Sequence, residues 1–191
     1  NQRVYGTEEI TYNNASPDNL EYLWIQLDQN VRSPASLTHQ IQTDNIDDGV
    51  SLWEYFNLFH TFPGGFNIDY VKDNKGAEYE VKVNHTMMRV NLKESLAPGK
   101  SIKIYIKWWY NINDRMEIGG RSGYEYFKEE DNYLYTIAQF FPRMAVYNDV
   151  EGWQNKQFLG RGEFTLPFGN YDVKLDVPAD MVVGATGEIQ N

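Results

Sequence analysis

The stretch that decides the fold class runs from Ser101 to Tyr110 and reads Ser-Ile-Lys-Ile-Tyr-Ile-Lys-Trp-Trp-Tyr. Apolar side chains occupy every second position, at Ile102, Ile104, Ile106 and Trp108. Lysines and a tyrosine occupy the positions between them. Because successive side chains of a β-strand point to opposite faces, this spacing predicts a strand with one buried and one solvated face.

Segments of similar character lie on both sides of this strand. They are predicted at residues 5–12, 20–27, 66–71, 77–83, 87–92, 133–141, 163–168, 171–177 and 181–185. The stretch 73–76 reads Asp-Asn-Lys-Gly, a good hairpin turn between two of them. With no internal repeat and no low-complexity linker, residues 1–191 are predicted to form a single all-β domain.

Two short helices are predicted before the meander. Ser33 and Pro34 suit a helix cap and the first helical position, which starts a helix ending near Gln42. Residues 50–60 place four apolar side chains at helical spacing. Between these helices lies an acidic loop at 44–49, and residues 114–131 are predicted to be one long Gly-rich loop.

Composition excludes several classes of function. The chain has 191 residues, of which 41% are hydrophobic and 15% aromatic, which is enough for a packed core. Its formal charge of −10 argues against binding to nucleic acid or to anionic membrane surfaces, both of which need basic patches. There is no cysteine, so disulfides and thiolate chemistry are excluded. No apolar run approaches the length of a membrane span, so no membrane insertion is predicted.

A candidate binding residue lies in the predicted strand 133–141. Gln139 is the one polar residue in the apolar end of that strand, and Pro142 stops the ladder directly afterwards. A buried amide without partners costs about 1–3 kcal/mol, so Gln139 must face water or find hydrogen bonds. Strand ends that lead into loops commonly display binding groups.

Several segments of this chain occur in the same order in a known family. They are Ala138-Gln139-Phe140-Phe141, Gly162-Glu163-Phe164, Tyr171-Asp172-Val173, Val177-Pro178-Ala179-Asp180 and Ala185-Thr186-Gly187-Glu188, with weaker matches at 12–18 and 23–27. In this respect the chain resembles the N-terminal β domain of zinc aminopeptidases related to aminopeptidase N, the gluzincins, and particularly their secreted bacterial branch. Gln139 matches the first residue of the family's Gln-x-Glu segment, and Phe141 stands where the family has Glu or Gln.

The resemblance implies a fold and a role. The fold would be a largely antiparallel, saddle-like β-sandwich that packs against a thermolysin-like catalytic domain. The role would be non-catalytic: the domain would wall one side of the peptide-substrate cleft of a secreted or periplasmic metallopeptidase. Gln139 and Phe141 would be its substrate-facing residues, with Phe141 making that wall apolar. The implied partners are the protein's own catalytic domain, absent from this chain, and the peptide substrate.

This chain does not carry the peptidase machinery itself. Such an enzyme needs His-Glu-x-x-His on a helix, which places two imidazoles on one face with a general base between them. His39, His60 and His85 are far apart in the sequence, and none begins that motif. We therefore expect no catalytic residue, metal site or cofactor in this chain. Zinc is expected in the catalytic domain, for which the reading frame should continue past Asn191.

Other motifs leave a second class of function open. The acidic loop 44–49 has the wrong residues at two positions of a calcium loop. Residues 119–123 could approach an anion, although no helix clearly follows them. Trp108, Trp109 and Trp153 could stack on sugars, so the alternative is a stand-alone glycan- or protein-binding module. If instead a catalytic domain is missing, an exposed apolar patch is expected, formed by Phe140, Phe141, Met144, Tyr147 and Trp153.

Overall fold

A computed structural model describes residues 2–41, 62–160 and 165–190. Its strands are β1 Arg3–Asn13, β2 Leu20–Gln26, β3 Asn67–Lys72, β4 Glu80–Asn84, β5 Met87–Leu96, β6 Ser101–Asn111, β7 Gly123–Phe127, β8 Asn132–Thr136, β9 Arg143–Met144, β10 Tyr147–Asn148 and β11 Gly152–Trp153. Its helices are a 3₁₀ turn Asp28–Arg32, α1 Leu37–Ile41 and α2 Arg115–Ile118. The predicted helix at 50–60 and the acidic loop at 44–49 lie outside the described residues.

The strands form two main sheets and two small ones. One main sheet has the order β1-β6-β3 and the other β4-β5-β2-β9, while β7 pairs with β8 and β10 with β11. Every one of these strand pairs is antiparallel. The predicted all-β, largely antiparallel fold with short helices is therefore confirmed.

The core is built from one face of each main sheet. The alternation predicted for residues 101–110 is confirmed: Ile104 and Ile106 of β6 are fully buried, while Lys103 and Lys107 are exposed. Leu23 of β2 and Val90 of β5 supply the other side of the same cluster. Burying the apolar stripe of each sheet against the other is the main favourable term in folding, at about 25 cal/mol per Å².

The turn at residues 73–76 forms as predicted, and it closes a short hairpin in which Lys72 and Glu78 form an antiparallel bridge. The Asp73 Oδ1 accepts hydrogen bonds of 2.9 Å from the backbone N–H groups of Lys75 and Ala77. However, β3 pairs with β6 and β4 pairs with β5, so the turn carries the chain from one sheet to the other. The turn itself was predictable from its residues. The assignment of β3 and β4 to different sheets depends instead on which neighbouring strands bury the apolar faces of β3 and β4.

The first predicted helix is shorter than expected. The sequence predicts it over residues 33–42, but α1 begins at Leu37. Ser36 rather than Ser33 supplies the capping oxygen, with its Oγ accepting from the His39 backbone N–H at 3.3 Å. The Ser33 Oγ instead accepts from the backbone N–H of Ala35 at 3.3 Å, in a turn. Ser33 and Ser36 are both suitable helix caps, but the side chain of Ser33 stabilises the turn before the helix instead.

The predicted loop at 114–131 is wrong. It contains α2 and β7, and the Asp114 side chain caps α2 by accepting from the Met116 backbone N–H at 2.8 Å. Strand β7 then pairs residue by residue with β8, from Gly123 opposite Thr136 to Phe127 opposite Asn132. Glycines and charges suggested a loop, but the tyrosines between them pair across two strands.

The three closing strands are also wrong where the structure describes them. Residues 165–190 contain no strand and are mostly exposed. The apolar side chains of Tyr171, Val173, Leu175 and Val177 alternate with polar ones in the sequence and are 40–66% exposed. Alternation specifies which side chains share a face, but a strand forms only where a neighbouring strand accepts its backbone hydrogen bonds. The described sheets provide no such neighbour here.

The expected apolar patch near residue 140 is wrong as well. Met144 and Trp153 are buried, and Phe140, Phe141 and Tyr147 pack against the core as half-buried side chains. Trp153 lies 5.1 Å from the Tyr147 ring, centroid to centroid, in an edge-to-face arrangement. Most of the exposed large apolar side chains among the described residues lie instead on the segment 165–190 and on the β7–β8 hairpin.

Candidate functional site

A polar cavity lies where β2 and β9 meet. Its volume is about 160 Å³, and it is lined by Gln26, Asp28, Arg121, Gln139, Arg143, Phe158 and Leu166. Gln26 is the last residue of β2 and pairs directly with Arg143 of β9. On its other side Gln26 pairs with Met87 of β5, so neighbouring strands on both sides hold this wall of the cavity in place.

An ion pair forms the floor of the cavity. The Arg143 guanidinium donates from both Nε and Nη2 to the Asp28 Oδ2, with Nε at 3.0 Å. Asp28 is only 2% exposed. Burial raises the pKa of the Asp28 carboxyl, and the positive charge of Arg143 opposes that shift without cancelling it. The pair therefore relies on close geometry to offset the cost of desolvating two charges.

Gln26 brings an unsatisfied donor to the same cavity. Its side chain is only 5% exposed, and its Nε2 has no hydrogen-bond partner among the described residues. A buried amide N–H₂ left unpaired costs about 1–3 kcal/mol. A hydrophobic residue at this position would avoid that cost. The presence of an amide in an otherwise apolar strand is therefore a feature to be explained.

Gln139 reaches the cavity through a strained backbone. Its φ is +52°, in the left-handed region that residues other than glycine rarely adopt. The Gln29 Nε2 holds this backbone by donating to the carbonyl oxygens of Ala138 and Gln139 at 2.9 and 3.1 Å. The Ser122 Oγ makes two more bonds to the backbone of Ala138: it donates to the carbonyl oxygen at 2.9 Å and accepts from the N–H at 2.8 Å.

These contacts explain why the strand predicted over 133–141 is shorter. Strand β8 ends at Thr136 because the backbone at residue 138 bonds to side chains instead of to another strand. Strained backbone of this kind is found more often at functional sites than elsewhere. The structure therefore turns the Gln139 side chain away from the ladder and towards the cavity.

Phe141 does not line the cavity. Its ring packs edge-to-face on Phe140, with 4.9 Å between centroids, and on Tyr171 at 6.0 Å. The two residues implied by the resemblance therefore have different surroundings, since Gln139 faces polar groups and Phe141 faces aromatic ones. The apolar character expected for Phe141 is present, but it lies outside the polar cavity.

The Gly-rich loop 119–123 contributes a second guanidinium. Gly119 and Gly120 have φ values of 71° and 93°, which lets the chain turn sharply before Arg121 reaches the cavity. Among the described residues, the charged side chains that line the cavity are therefore Arg121, Arg143 and Asp28.

The other motifs singled out in the sequence are not brought together. Among the described residues, no group of three His, Asp or Glu side chains lies close enough to hold a metal ion. His39 lies on α1 and His85 in the β4–β5 turn, while His60 is outside the described ranges. Trp108 and Trp153 are buried, and Trp109 is covered by the Arg3 guanidinium at 4.4 Å.

Sequence reasoning missed three of the polar residues that line the cavity, namely Gln26, Asp28 and Arg143. One signal was available: the polar run Asp28-Gln29-Asn30 follows a strongly apolar strand, yet all three are buried. Polar residues in a buried position need partners, so such a run predicts an internal hydrogen-bond network. Nothing in the sequence indicated that Arg143 would be the partner, 115 residues later.

Comparisons with models of known families, with curated proteins and with solved structures give no match to this chain. Family membership therefore stays a prediction from the motifs. In the part of the chain that the structure describes, no helix has the length and apolarity needed to cross a membrane.

Proposed function

We propose that this chain is the non-catalytic β domain of a zinc metallopeptidase, in which it walls one side of the peptide-substrate cleft. The observation that carries this proposal is the position of Gln139. Its side chain lines a polar cavity from a left-handed backbone, and four hydrogen bonds between the backbone of residues 138–139 and the side chains of Gln29 and Ser122 hold it in place. A side chain held in this way is preorganised to meet a ligand.

The exposed segment 165–190 also supports a role within a larger protein. Apolar side chains at Phe168, Val182 and Ile189 are 82–107% exposed, in addition to the alternating set at 171–177. A segment with so many exposed apolar side chains is typical of an interaction site. A catalytic domain that covered it would remove that surface from water and supply strand partners to its backbone.

The test is to express the complete reading frame and to measure its zinc content and peptidase activity. We expect about one zinc ion per chain, bound by a His-Glu-x-x-His helix, and aminopeptidase activity that a chelator removes. In that protein Gln139→Ala should lower kcat/KM while the zinc content stays unchanged. The matched control is Gln154→Ala, because Gln154 donates to Glu151 on the surface and does not line the cavity.

A reading frame that stops directly after Asn191 would contradict the proposal. So would a full-length protein that binds zinc and cleaves peptides equally well with and without the Gln139 side chain. In the first case the chain would act alone, and in the second the cavity would have no part in catalysis.

A second candidate function has its own structural observation. On the β7–β8 hairpin, Tyr124, Tyr126, Tyr133 and Tyr135 lie opposite one another in two cross-strand pairs and share one face. The rings of Tyr126 and Tyr133 are 4.8 Å apart and remain 45% and 39% exposed. We define these four residues as the tyrosine face. Tyrosine offers large, rigid contact area at low entropic cost, as expected of a glycan- or protein-binding module.

Titration of the isolated chain against a panel of glycans tests this second candidate. Binding that is lost in Tyr126→Ala and Tyr133→Ala, and retained in Tyr70→Ala on the main sheet, would favour it. If no glycan is bound, and the two variants bind partner proteins as the unmodified chain does, the tyrosine face has only a structural role.

A further inference from the structure

Residues 171–177 have the side-chain pattern of a strand but no strand partner. They read Tyr-Asp-Val-Lys-Leu-Asp-Val, so apolar and charged side chains alternate throughout. The apolar ones are 40–66% exposed, and none of these residues belongs to a strand. Such a segment is stabilised when a neighbouring strand bonds to its backbone and covers its apolar face. We call residues 171–177 the alternating segment.

Strand β4, residues 80–84, lies at an open edge of the four-stranded sheet. The order of that sheet is β4-β5-β2-β9, so β4 has a neighbouring strand on one side only. Val81 packs against the core, and Val83 lies on the same face but is 53% exposed. The apolar face of the sheet therefore continues to this edge without being covered. An exposed edge of this kind is a template for pairing with another chain.

We propose that the alternating segment of one copy of this chain pairs antiparallel with β4 of a second copy. The backbone of the segment adds a strand to the sheet, and its side chains continue both faces. The contact joins two different surfaces, so each bound copy keeps one free edge or segment for the next copy. This pairing is independent of the proposed function, and a catalytic domain that covered the alternating segment would compete with it.

One register brings the two apolar faces together. It places Val81 opposite Val173 and Val83 opposite Tyr171. Side chains directly opposite each other in an antiparallel pair share a face and touch, and an aromatic ring beside a β-branched side chain is a stabilising combination. Val173 and Tyr171 are 56% and 66% exposed in a single copy. The pairing therefore covers apolar side chains from both copies.

The same register joins opposite charges on the other face. Lys82 lies opposite Asp172, and Glu80 lies opposite Lys174. Within one copy the Lys82 Nζ is 3.9 Å from the Glu80 Oε1, and the two side chains are 71% and 68% exposed, so both can reach a second partner. A shift of two residues in either direction would place Glu80 opposite an aspartate, Asp172 or Asp176. Like charges directly opposite each other are destabilising, so the charges fix the register.

The other edges of the two main sheets fit the alternating segment less well. Strand β9 has only two residues. Strand β1 carries Glu8 on its inward face, where the segment would place an apolar side chain. Strand β3 has an irregularity between Ile68 and Tyr70, which interrupts the alternation. Among the described strands, β4 therefore offers the segment the best match.

The position of the alternating segment favours a second copy over the same chain. The Tyr171 ring lies 6.0 Å from the ring of Phe141, which precedes β9 at the far edge of the sheet from β4. Neighbouring strands are about 4.8 Å apart, so β9 and β4 are separated by about 14 Å. The segment begins at one edge of the sheet and matches the other, which is the arrangement that joins successive molecules.

Sedimentation velocity of the isolated chain over a range of concentrations tests the association. Lys82→Glu and Asp172→Lys each place like charges opposite one another, and each should weaken association about tenfold or more. The two reversals combined in one chain should restore it, because opposite charges then meet again. The matched control is Asp180→Lys, which changes the net charge equally but lies outside the alternating segment. The substituted residues are exposed, so the fold should persist, and circular dichroism checks this.

Cysteine cross-linking tests the register directly. The chain has no cysteine of its own, so one copy can carry only Val83→Cys and the other only Tyr171→Cys. Opposite positions come close enough for a disulfide, and mixing the two under oxidising conditions should give a covalent dimer on a non-reducing gel. Val83→Cys mixed with Val177→Cys is the control, because those positions meet only if the strands are parallel.

A chain that stays monomeric at every concentration would overturn the proposal. Association that both single reversals leave unchanged would also overturn it, since another surface, such as β4 against β4, would then be responsible. So would a double reversal that fails to restore association, or preferential cross-linking of Val83→Cys with Val177→Cys. None of these outcomes depends on zinc or peptidase activity, so failure here and failure of the proposed function are distinguishable.

Discussion

Arg143 donates two hydrogen bonds to a single oxygen of Asp28, and this contact ties together segments that are 115 residues apart in the chain. The Asp28 side chain is 3% exposed and the Arg143 side chain 16%. The pair joins the 3₁₀ turn that follows β2 to strand β9. It therefore serves both as a structural link and as part of the cavity floor.

Removal of the Arg143 charge should destabilise the fold strongly. Arg143→Leu leaves the Asp28 carboxylate buried without a counter-charge, and breaking a buried pair in this way costs about 3–5 kcal/mol. The loss should be smaller at acid pH, because burial already raises the pKa of Asp28 and the carboxyl then takes up a proton. Urea unfolding at two pH values measures both effects.

A matched control for this variant is Arg115→Leu. Arg115 pairs with Glu125, but its side chain is 39% exposed, and exposed pairs contribute about 0–1 kcal/mol. If both variants lose the same free energy of unfolding, burial does not strengthen the contribution of the Asp28–Arg143 pair to stability.

Glu8 should make the stability depend on pH. It lies on the inward face of β1, opposite Ile106, and its Oε1 has no hydrogen-bond partner in the described part of the chain. Burial raises the pKa of Glu8 from 4.5 to about 8. Between these values the folded state binds a proton that the unfolded state has lost, so stability is fully present below pH 4.5 and falls as pH rises to 8.

The Glu8→Gln variant isolates this effect. Since the variant cannot ionise, it should match the unmodified protein near pH 4 and be more stable at pH 8, with a difference that grows by at most about 1.4 kcal/mol per pH unit. Chemical denaturation at several pH values between 4 and 8 measures the free energy of unfolding of both proteins. The neighbouring Glu9→Gln is the control, because Glu9 faces solvent and pairs with Lys103. A flat difference between Glu8→Gln and the unmodified protein would contradict the raised pKa.

Gly6 should not tolerate a side chain. A Cβ at this position would lie 2.2 Å from the Trp108 Cζ2, so the indole of the paired strand would have to move. Forcing extra volume into a packed site costs about 1–3 kcal/mol. We expect Gly6→Ala to lower the melting temperature, as measured by circular dichroism. Gly184→Ala should have almost no effect, because a Cβ there meets nothing within 4 Å.

The backbone strain at Gln139 should be measurable through a pair of variants. Both Gln139→Gly and Gln139→Ala remove the side chain, but only glycine adopts a φ of +52° without steric cost. The glycine variant should therefore be more stable than the alanine variant by about 1–2 kcal/mol. Gln29 would keep its bonds in both, because it binds carbonyl oxygens. Equal stability would show that residue 139 is not strained.

The sequence by itself determined the class of fold and most of its strands. The alternation in residues 101–110 predicted which side chains of β6 are buried, because strand geometry sends neighbouring side chains to opposite faces. The turn at 73–76 was predictable for a similar reason, since Asp73 bonds to backbone groups only a few residues away. These are local effects, and the residues that cause them are adjacent in the chain.

Only the tertiary structure decided how strands were partnered and where the cavity lies. Residues 171–177 alternate as well as β6 does, yet they form no strand, because a strand also needs a neighbour to bond to its backbone. Gln139 was a candidate from the sequence, whereas its cavity neighbours Gln26, Asp28 and Arg143 were not. Their meeting depends on the pairing of β2 with β9, which joins residues more than 100 positions apart and leaves no local pattern.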